Sequence, residues 1–344
     1  MNNVKLLHLA QRDDVDGLKA VETELSTEAS GRGLYEVCYE KSGDTLAHVA
    51  ARSGSVRVLR YLLEDLKSIQ LLECANLDGK RPLHEAAQAS QPEALKLLLH
   101  LGAQVDSLKR ADWTPLMLAC TKSDLVTIQL LIRAGASVAL KNKDGWTPFH
   151  IACREGHYDI ILYLLNTFPD AWKNCSTNGR TPLHTAALHR HLNCVELLCT
   201  NCGYEPDEVD SCGTTPFMDA ARVDDIQVMD CISNHHDIDI LKADIVGRNS
   251  LHLAAQAGAL SAIDHLITRY RLDVNTLTTT KQNALHLAAK EGQEAAISLL
   301  LQLGCNARQM DHKGRKAADV ARAVNHNSCA DILSKAEMDN AFVK

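Results

Sequence analysis

Thr181-Pro182-Leu183-His184-Thr185-Ala186-Ala187 opens a helix. The threonine hydroxyl can accept a hydrogen bond from an orphan amide of the first turn, and proline at the first helical position gives up an N–H that has no partner there. The same pattern recurs as Arg81 to His84, Thr114 to Met117, Thr147 to His150, Thr215 to Met218, Asn249 to His252 and Asn283 to His286. Its apolar third position falls at Leu83, Leu116, Phe149, Leu183, Phe217, Leu251 and Leu285, in steps of 33 or 34 residues. Seven occurrences in phase mark a repeat architecture, in which each unit buries its apolar face only against its neighbours. Thr45 to His48 is a degenerate match one unit upstream, and Lys316 to Asp319 a weaker one downstream.

The rest of the unit follows the same logic. Small pairs such as Ala86-Ala87, Ala186-Ala187, Ala254-Ala255 and Ala288-Ala289 give the first helix a face on which another helix can sit closely. A turn follows, at Gly54, Gly156, Gly258 or Gly292, and then a second helix with its own stripe, as in Leu95, Leu98 and Leu99. That helix stops at a glycine able to take positive φ, such as Gly102, Gly135, Gly203 or Gly304. Fifteen of the 18 glycines and five of the eight prolines fall at such repeat positions, so composition and period agree.

Residues 43 to 320 thus resemble ankyrin repeats. The resemblance implies an all-α solenoid of stacked helix-turn-helix units with short β-hairpin tips, in which tips and first helices form a concave binding face. The expected organisation is an N-terminal capping unit over residues 1–42, eight repeats over 43–311, and a C-terminal capping repeat and tail over 312–344. Val4 to Glu24 has helix-pair spacing without the motif, and an irregular stretch is expected near Ser26 to Ser42. Arg81 replaces the capping hydroxyl in its repeat, at a cost of about 1 kcal/mol unless something compensates. Asp319 stands where histidine is expected.

Composition narrows the function. A length of 344 residues suggests two domains by size alone, but an unbroken repeat phase argues for one array. No apolar run approaches the ~18 residues of a membrane span, and Arg12, Asp13 and Asp14 follow so soon after Leu6 to Leu9 that no secretory segment is read there. Twelve cysteines then read as reduced thiols in the cytoplasm or nucleus. A net charge of −7 argues against direct nucleic-acid binding. No phosphate loop, nucleophile elbow or paired-carboxylate signature appears, so a non-enzymatic, monomeric binding protein without cofactor or metal is expected.

Histidine and cysteine are abundant enough to suggest metal. Six of the 16 histidines are the motif residue, however, and stacked repeats keep them roughly 10 Å apart, too far to share an ion. They are expected to bond the turns and caps instead. Cys199 and Cys202 form a C-x-x-C near Cys194 and Cys212, yet Cys194 and Cys199 align with Ala94 and Leu99 of the second helix. They read as small core residues. His235 and His236 read as loop residues beside Asp237 and Asp239.

Binding must then come from positions that vary between repeats. Three successive tips read Lys109-Arg110-Ala111-Asp112-Trp113, Lys141-Asn142-Lys143-Asp144-Gly145-Trp146 and Ala171-Trp172-Lys173-Asn174, and they hold all three tryptophans. Tryptophan and arginine dominate interface hot spots. Trp113, Trp146, Trp172, Lys141 and Arg154 are therefore the candidate partner-binding residues. Residues 106–180 carry nine basic and seven acidic side chains, whereas residues 205–244 carry two and eleven. An alternative is thus a generic adaptor that also uses the acidic repeat around Asp224 and Asp225.

The three tips further resemble ankyrin-repeat partners of alanyl-tRNA synthetase. That resemblance implies a cofactor that limits serine misincorporation at alanine codons by accepting misactivated serine on lysine side chains. Two acceptor positions fall on Lys143 and Lys173, and the third on Arg110, with Lys109 adjacent. A guanidinium stays protonated and offers no amine nucleophile. A free lysine is only about 0.04% neutral at pH 7, a fraction that cationic neighbours raise.

Overall fold

The computed structural model describes residues 3–27, 34–205 and 207–339. Residues 28–33 of the expected N-terminal unit and the tail at 340–344 lie outside them. The chain forms two compact units, residues 1–177 and 178–344. Both are all-α among the described residues and repeat one helix-turn-helix element.

In the first unit, the helices Asn3–Gln11 and Val15–Thr27 make the N-terminal pair, followed by motif helices Leu46–Ser53, Pro82–Gln88, Pro115–Ala119 and Pro148–Glu155. Their second helices include Pro92–His100, Leu125–Arg133 and Tyr158–Thr167. The second unit continues with Pro182–Leu188, Pro216–Arg222, Ser250–Ala257, Ala284–Glu291 and Ala317–Ala323, each again followed by a longer helix. The alanine pairs explain the close stacking of first helices within each unit. Ala86, Ala87, Ala186, Ala187, Ala254, Ala255, Ala288 and Ala289 are all fully buried.

His48, His84, His184, His252 and His286 each close their own helix start and reach a backbone carbonyl in or just before the next tip. In Thr181 to His184 the Thr181 amide donates to His184 Nδ1 (3.2 Å), the hydroxyl meets the same nitrogen at 2.8 Å, and His184 Nε2 bonds the Thr214 carbonyl at 2.9 Å. His48, His84, His252 and His286 make the equivalent reach to Lys80, Trp113, Thr276 and Arg315. The ring must then carry its proton on Nε2 and accept at Nδ1, which a neutral imidazole does and a charged one cannot. Burial accordingly pulls the pKa of His84, His184 and His252 down to about 4, and lowers those of His48 and His286. The expectation that these rings serve turns and caps holds. Asp319 takes over one half of the role, accepting from the Lys316 amide at 3.0 Å.

The expected β-hairpin tips are shorter than strands. Seven five-residue tips close with a backbone bond across their ends, such as Asn142 N–H to the Trp146 carbonyl at 3.0 Å, and only two isolated bridges, Cys38–Thr45 and Lys109–Trp113, occur among the described residues. The outer edge of the tip is engaged elsewhere. Leu77, Arg110, Lys143 and Thr177 donate to the carbonyls of Ser42, Asp78, Ala111 and Asp144 in the preceding tip, and Ser211, Ile245, Thr279 and His312 repeat this in the second unit. This close approach requires glycine at position 145, with φ +76°, where a Cβ would sit 2.4 Å from the Thr177 nitrogen.

Two departures have local explanations. Arg81 supplies no side-chain cap, but its guanidinium bonds Glu73 and Gln104 and ties its helix start to both flanking segments. In the tip at 109–113, Asp112 occupies the usual glycine position, and Ala111 and Asp112 both take left-handed backbone with φ 63° and 61°. Non-glycine residues pay roughly 1 kcal/mol there. Asp112→Gly is therefore expected to raise unfolding free energy by about 0.5–1 kcal/mol, read from the urea midpoint at constant slope. A lower midpoint would show that the carboxylate contributes more than the strain costs.

Candidate interaction surface

Each of the three tryptophans is half-buried and carries a cation over its ring. Lys109 Nζ lies 5.6 Å from the Trp113 centroid, the Arg154 guanidinium carbon 5.3 Å from that of Trp146, and Lys173 Nζ 5.7 Å from that of Trp172. Such stacking holds a long cationic side chain against an aromatic face and contributes about 0.5–1 kcal/mol at an exposed site. It also spends side-chain freedom before any partner arrives, which lowers the entropy lost on binding.

The two aromatic positions before the motif are set by the repeat. Trp113 and Trp146 immediately precede the capping threonines Thr114 and Thr147, both fully buried, so their rings emerge at the junction of tip and first helix. Arg154 lies eight residues after Trp146, two turns along the first helix, and so returns over the ring; it also bonds Glu155. Trp172 differs. It belongs to the short 3-10 helix Ala171–Lys173 ahead of the tip, a place that sequence alone did not separate from the tip itself.

The lysines divide in the same way. Lys143 and Arg110 occupy equivalent tip positions, since both amides donate to the preceding tip, and both are exposed. Arg110 reaches the Leu77 carbonyl at 3.3 Å and stands 3.7 Å from Asp78. Lys143 has no hydrogen-bond or ion-pair partner for its ammonium among the described residues. Lys173 lies outside this register and pairs with Asp170 at 2.6 Å, an exposed contact of little energetic weight. Lys141 donates to the Cys175 carbonyl at 2.9 Å. A cleft of about 410 Å³ lined by Val138, Phe168, Pro169 and Ala171 opens beside the helix that bears Lys173.

Lys109 is the lysine that its surroundings alter. Partial burial lowers its pKa, and the nearby charges of Lys80 and Arg110 add to the effect. Sequence reading did not include Lys80, whose position 29 residues earlier gives no local signal. The acidic repeat presents less charge than its composition suggests. Asp210, Asp219 and Asp244 are buried, with Asp210 and Asp244 accepting tip amides and Asp219 held by Arg180 and Arg222. Asp225 caps the helix Ile226–His235 and Asp224 accepts from the Ala262 amide.

Cys194, Cys199 and Cys202 are buried within or just after the helix Leu192–Asn201, as core residues. All twelve cysteines are free thiols, and burial pushes Cys194 up to about 11 and Cys202 up to about 12. His235 is not in a loop: it ends the helix Ile226–His235, bonding the Cys231 carbonyl, because its helical register extends to the C-cap at His236.

Comparison with known proteins places these features in a family. The family model "Ankyrin repeats (3 copies)" matches residues 7–109, 101–175, 167–244 and 251–341. The chain is 36% identical over 73 residues to the nuclear factor NF-kappa-B p100 subunit of Gallus gallus, covering 21% of this chain and 8% of that protein. It is 33% identical over 95 residues to the B-cell lymphoma 3 protein of Homo sapiens, covering 27% and 21%. It is 30% identical over 105 residues to the nuclear factor NF-kappa-B p105 subunit of Rattus norvegicus, covering 29% and 10%. The chain spans about a fifth or less of the length of each of these relatives. No described helix is long and apolar enough to cross a membrane.

Proposed function

Since this chain belongs to the ankyrin-repeat family of protein-binding scaffolds, we propose that it binds alanyl-tRNA synthetase through the tips at 109–113, 141–146 and 171–174 and captures misactivated serine there. The tip sequences resemble ankyrin repeat domain-containing protein 16, and the observation that carries the reading is the row of three tryptophan–cation stacks beside accessible Lys143 and Lys173. The action is that of a cofactor in the cytoplasm or nucleus, not of an enzyme, because the acceptor is consumed.

The step itself is simple. An acceptor lysine loses its proton to solvent, and the neutral amine attacks the carbonyl carbon of seryl-adenylate. The new C–N bond forms as the C–O bond to phosphate breaks; AMP leaves with the electron pair, and the nitrogen gives its second proton to solvent. The aminoacyl-adenylate is already activated, so the scaffold supplies only proximity. Lys109 joins Lys143 and Lys173 as an acceptor on this reading, since a lowered pKa increases its neutral fraction.

Lys143→Arg combined with Lys173→Arg keeps charge and removes both amines. With synthetase, serine and ATP, the double variant is expected to bind as the parent does while the total seryl-lysine in the peptide map falls, with the remainder at Lys109. Adducts elsewhere at an undiminished total would contradict the assignment.

A further inference from the structure

We propose that Cys231 and Cys199 are a redox pair, which a hydroperoxide oxidises to a disulfide joining the second helices of two successive repeats. The helices Leu192–Asn201 and Ile226–His235 pack directly on each other. Their facing sides bring the Cys199 and Cys231 thiols into hydrogen-bond contact, with Cys202 near enough to act on Cys199 electrostatically. Cys199 and Cys202 are only 8% and 7% exposed, whereas Cys231 is half-buried and open to a small oxidant. His235 Nδ1 donates to the Cys231 carbonyl at 2.8 Å and lies 3.9 Å from its sulfur, so a ring N–H faces the thiol.

These surroundings decide which sulfur reacts. The thiolate, not the thiol, is the nucleophile. The hydrogen bond from Cys199 holds the pKa of Cys231 well below its ordinary value, and His235 adds to this against burial and the nearby Glu196 carboxylate. The same contact, with burial, pushes Cys199 up, so Cys199 keeps the shared proton. Burial pushes Cys202 up as well, to about 12. One activated sulfur thus faces one protonated thiol, the arrangement of a reactive and a resolving cysteine.

The Cys231 thiolate attacks one oxygen of hydrogen peroxide: an S–O bond forms, the O–O bond breaks, and the departing hydroxide takes up the proton that Cys231 released. Sulfur is oxidised to the sulfenic acid and the peroxide oxygen is reduced to water. With the charge on Cys231 gone, the interaction that held the Cys199 proton is lost. The Cys199 sulfur then attacks the sulfenic sulfur; the S–S bond forms as the S–O bond breaks, and hydroxide leaves with the Cys199 proton as a second water. In an array stabilised unit by unit and interface by interface, this bond tethers two neighbours and constrains the unfolded chain. None of these residues belongs to the tips at 109–174, so the site stands independently of the synthetase reading.

The test treats the full chain with hydrogen peroxide, alkylates the remaining thiols and maps the peptides without reduction. Trypsin cuts after Arg222, between the two cysteines, so the disulfide appears as a linked pair of peptides. That pair is expected to form before exposed Cys212 is oxidised, to persist in Cys202→Ser, and to vanish in Cys199→Ser and in Cys231→Ser. In Cys199→Ser, where no thiol resolves it, the Cys231 sulfenic acid is expected to accumulate and react with dimedone. The oxidised parent should show a higher urea midpoint than the reduced chain, a difference that a thiol reductant abolishes. Urea midpoints of the reduced variants check that the fold is retained. Absence of the linked pair, oxidation of Cys212 ahead of Cys231, or a linked pair that persists in Cys199→Ser would each overturn the proposal.

Discussion

Acidification from pH 7 toward pH 4 is expected to unfold the chain, with stability beginning to fall near pH 6.5. His84, His184 and His252 titrate near 4 in the folded chain, because burial disfavours the cation and the Nδ1 acceptor role requires the neutral ring. In the unfolded chain they titrate near 6.5. Between these values the unfolded state binds more protons, so stability is fully present above the unfolded value and is lost as pH falls.

Each of the three loses up to about 1.4 kcal/mol per pH unit across this window, or roughly 3 kcal/mol in all. Together they approach the 5–15 kcal/mol that holds a typical domain folded. His48 and His286 act in the same direction. Asp219 opposes them: burial raises its pKa to about 6 despite Arg180 and Arg222, so it adds stability as pH falls from 6 to its unfolded value. Glu208, raised by burial, acts in the same direction as Asp219, and two carboxyls against five imidazoles do not reverse the trend. Urea midpoints measured at pH 7, 6 and 5 should fall steadily, and a flat series would show that the rings are not held neutral.

Much of this was legible because the repeat writes each physical requirement several times. The capping threonine, the proline, the alanine pair and the motif histidine are local features, and a histidine that must accept from its own cap can be read from three residues. What escaped the sequence is spread over one residue per repeat. Arg81 is compensated by Glu73 and Gln104, which belong to no motif. The shift at Lys109 depends on Lys80, and the contact of Cys231 with Cys199 joins two repeats. Charge counting overstated the acidic repeat because three of its aspartates serve turns or ion pairs and are buried. Trp172 looked like a tip residue because a single-turn 3-10 helix leaves no periodicity to detect.

The tryptophans carry the functional account. Trp113 and Trp146 lie at the same place in adjacent repeats of one unit, each half-buried and each under a cation. Truncating a tryptophan at the centre of an interface costs about 2 kcal/mol or more, close to thirtyfold in affinity. Neighbouring hot spots couple, so the pair should cost at least about a hundredfold, not necessarily the full product. The buried first-helix core beneath them is untouched, and an unchanged far-ultraviolet spectrum would establish that the repeats remain folded.

The decisive measurement is the affinity of alanyl-tRNA synthetase for the parent chain and for Trp113→Ala combined with Trp146→Ala, by calorimetry at one salt concentration. The account predicts measurable binding to the parent and a loss of at least about a hundredfold in the double variant. Equal affinity for both would contradict it and move the interface away from these tips.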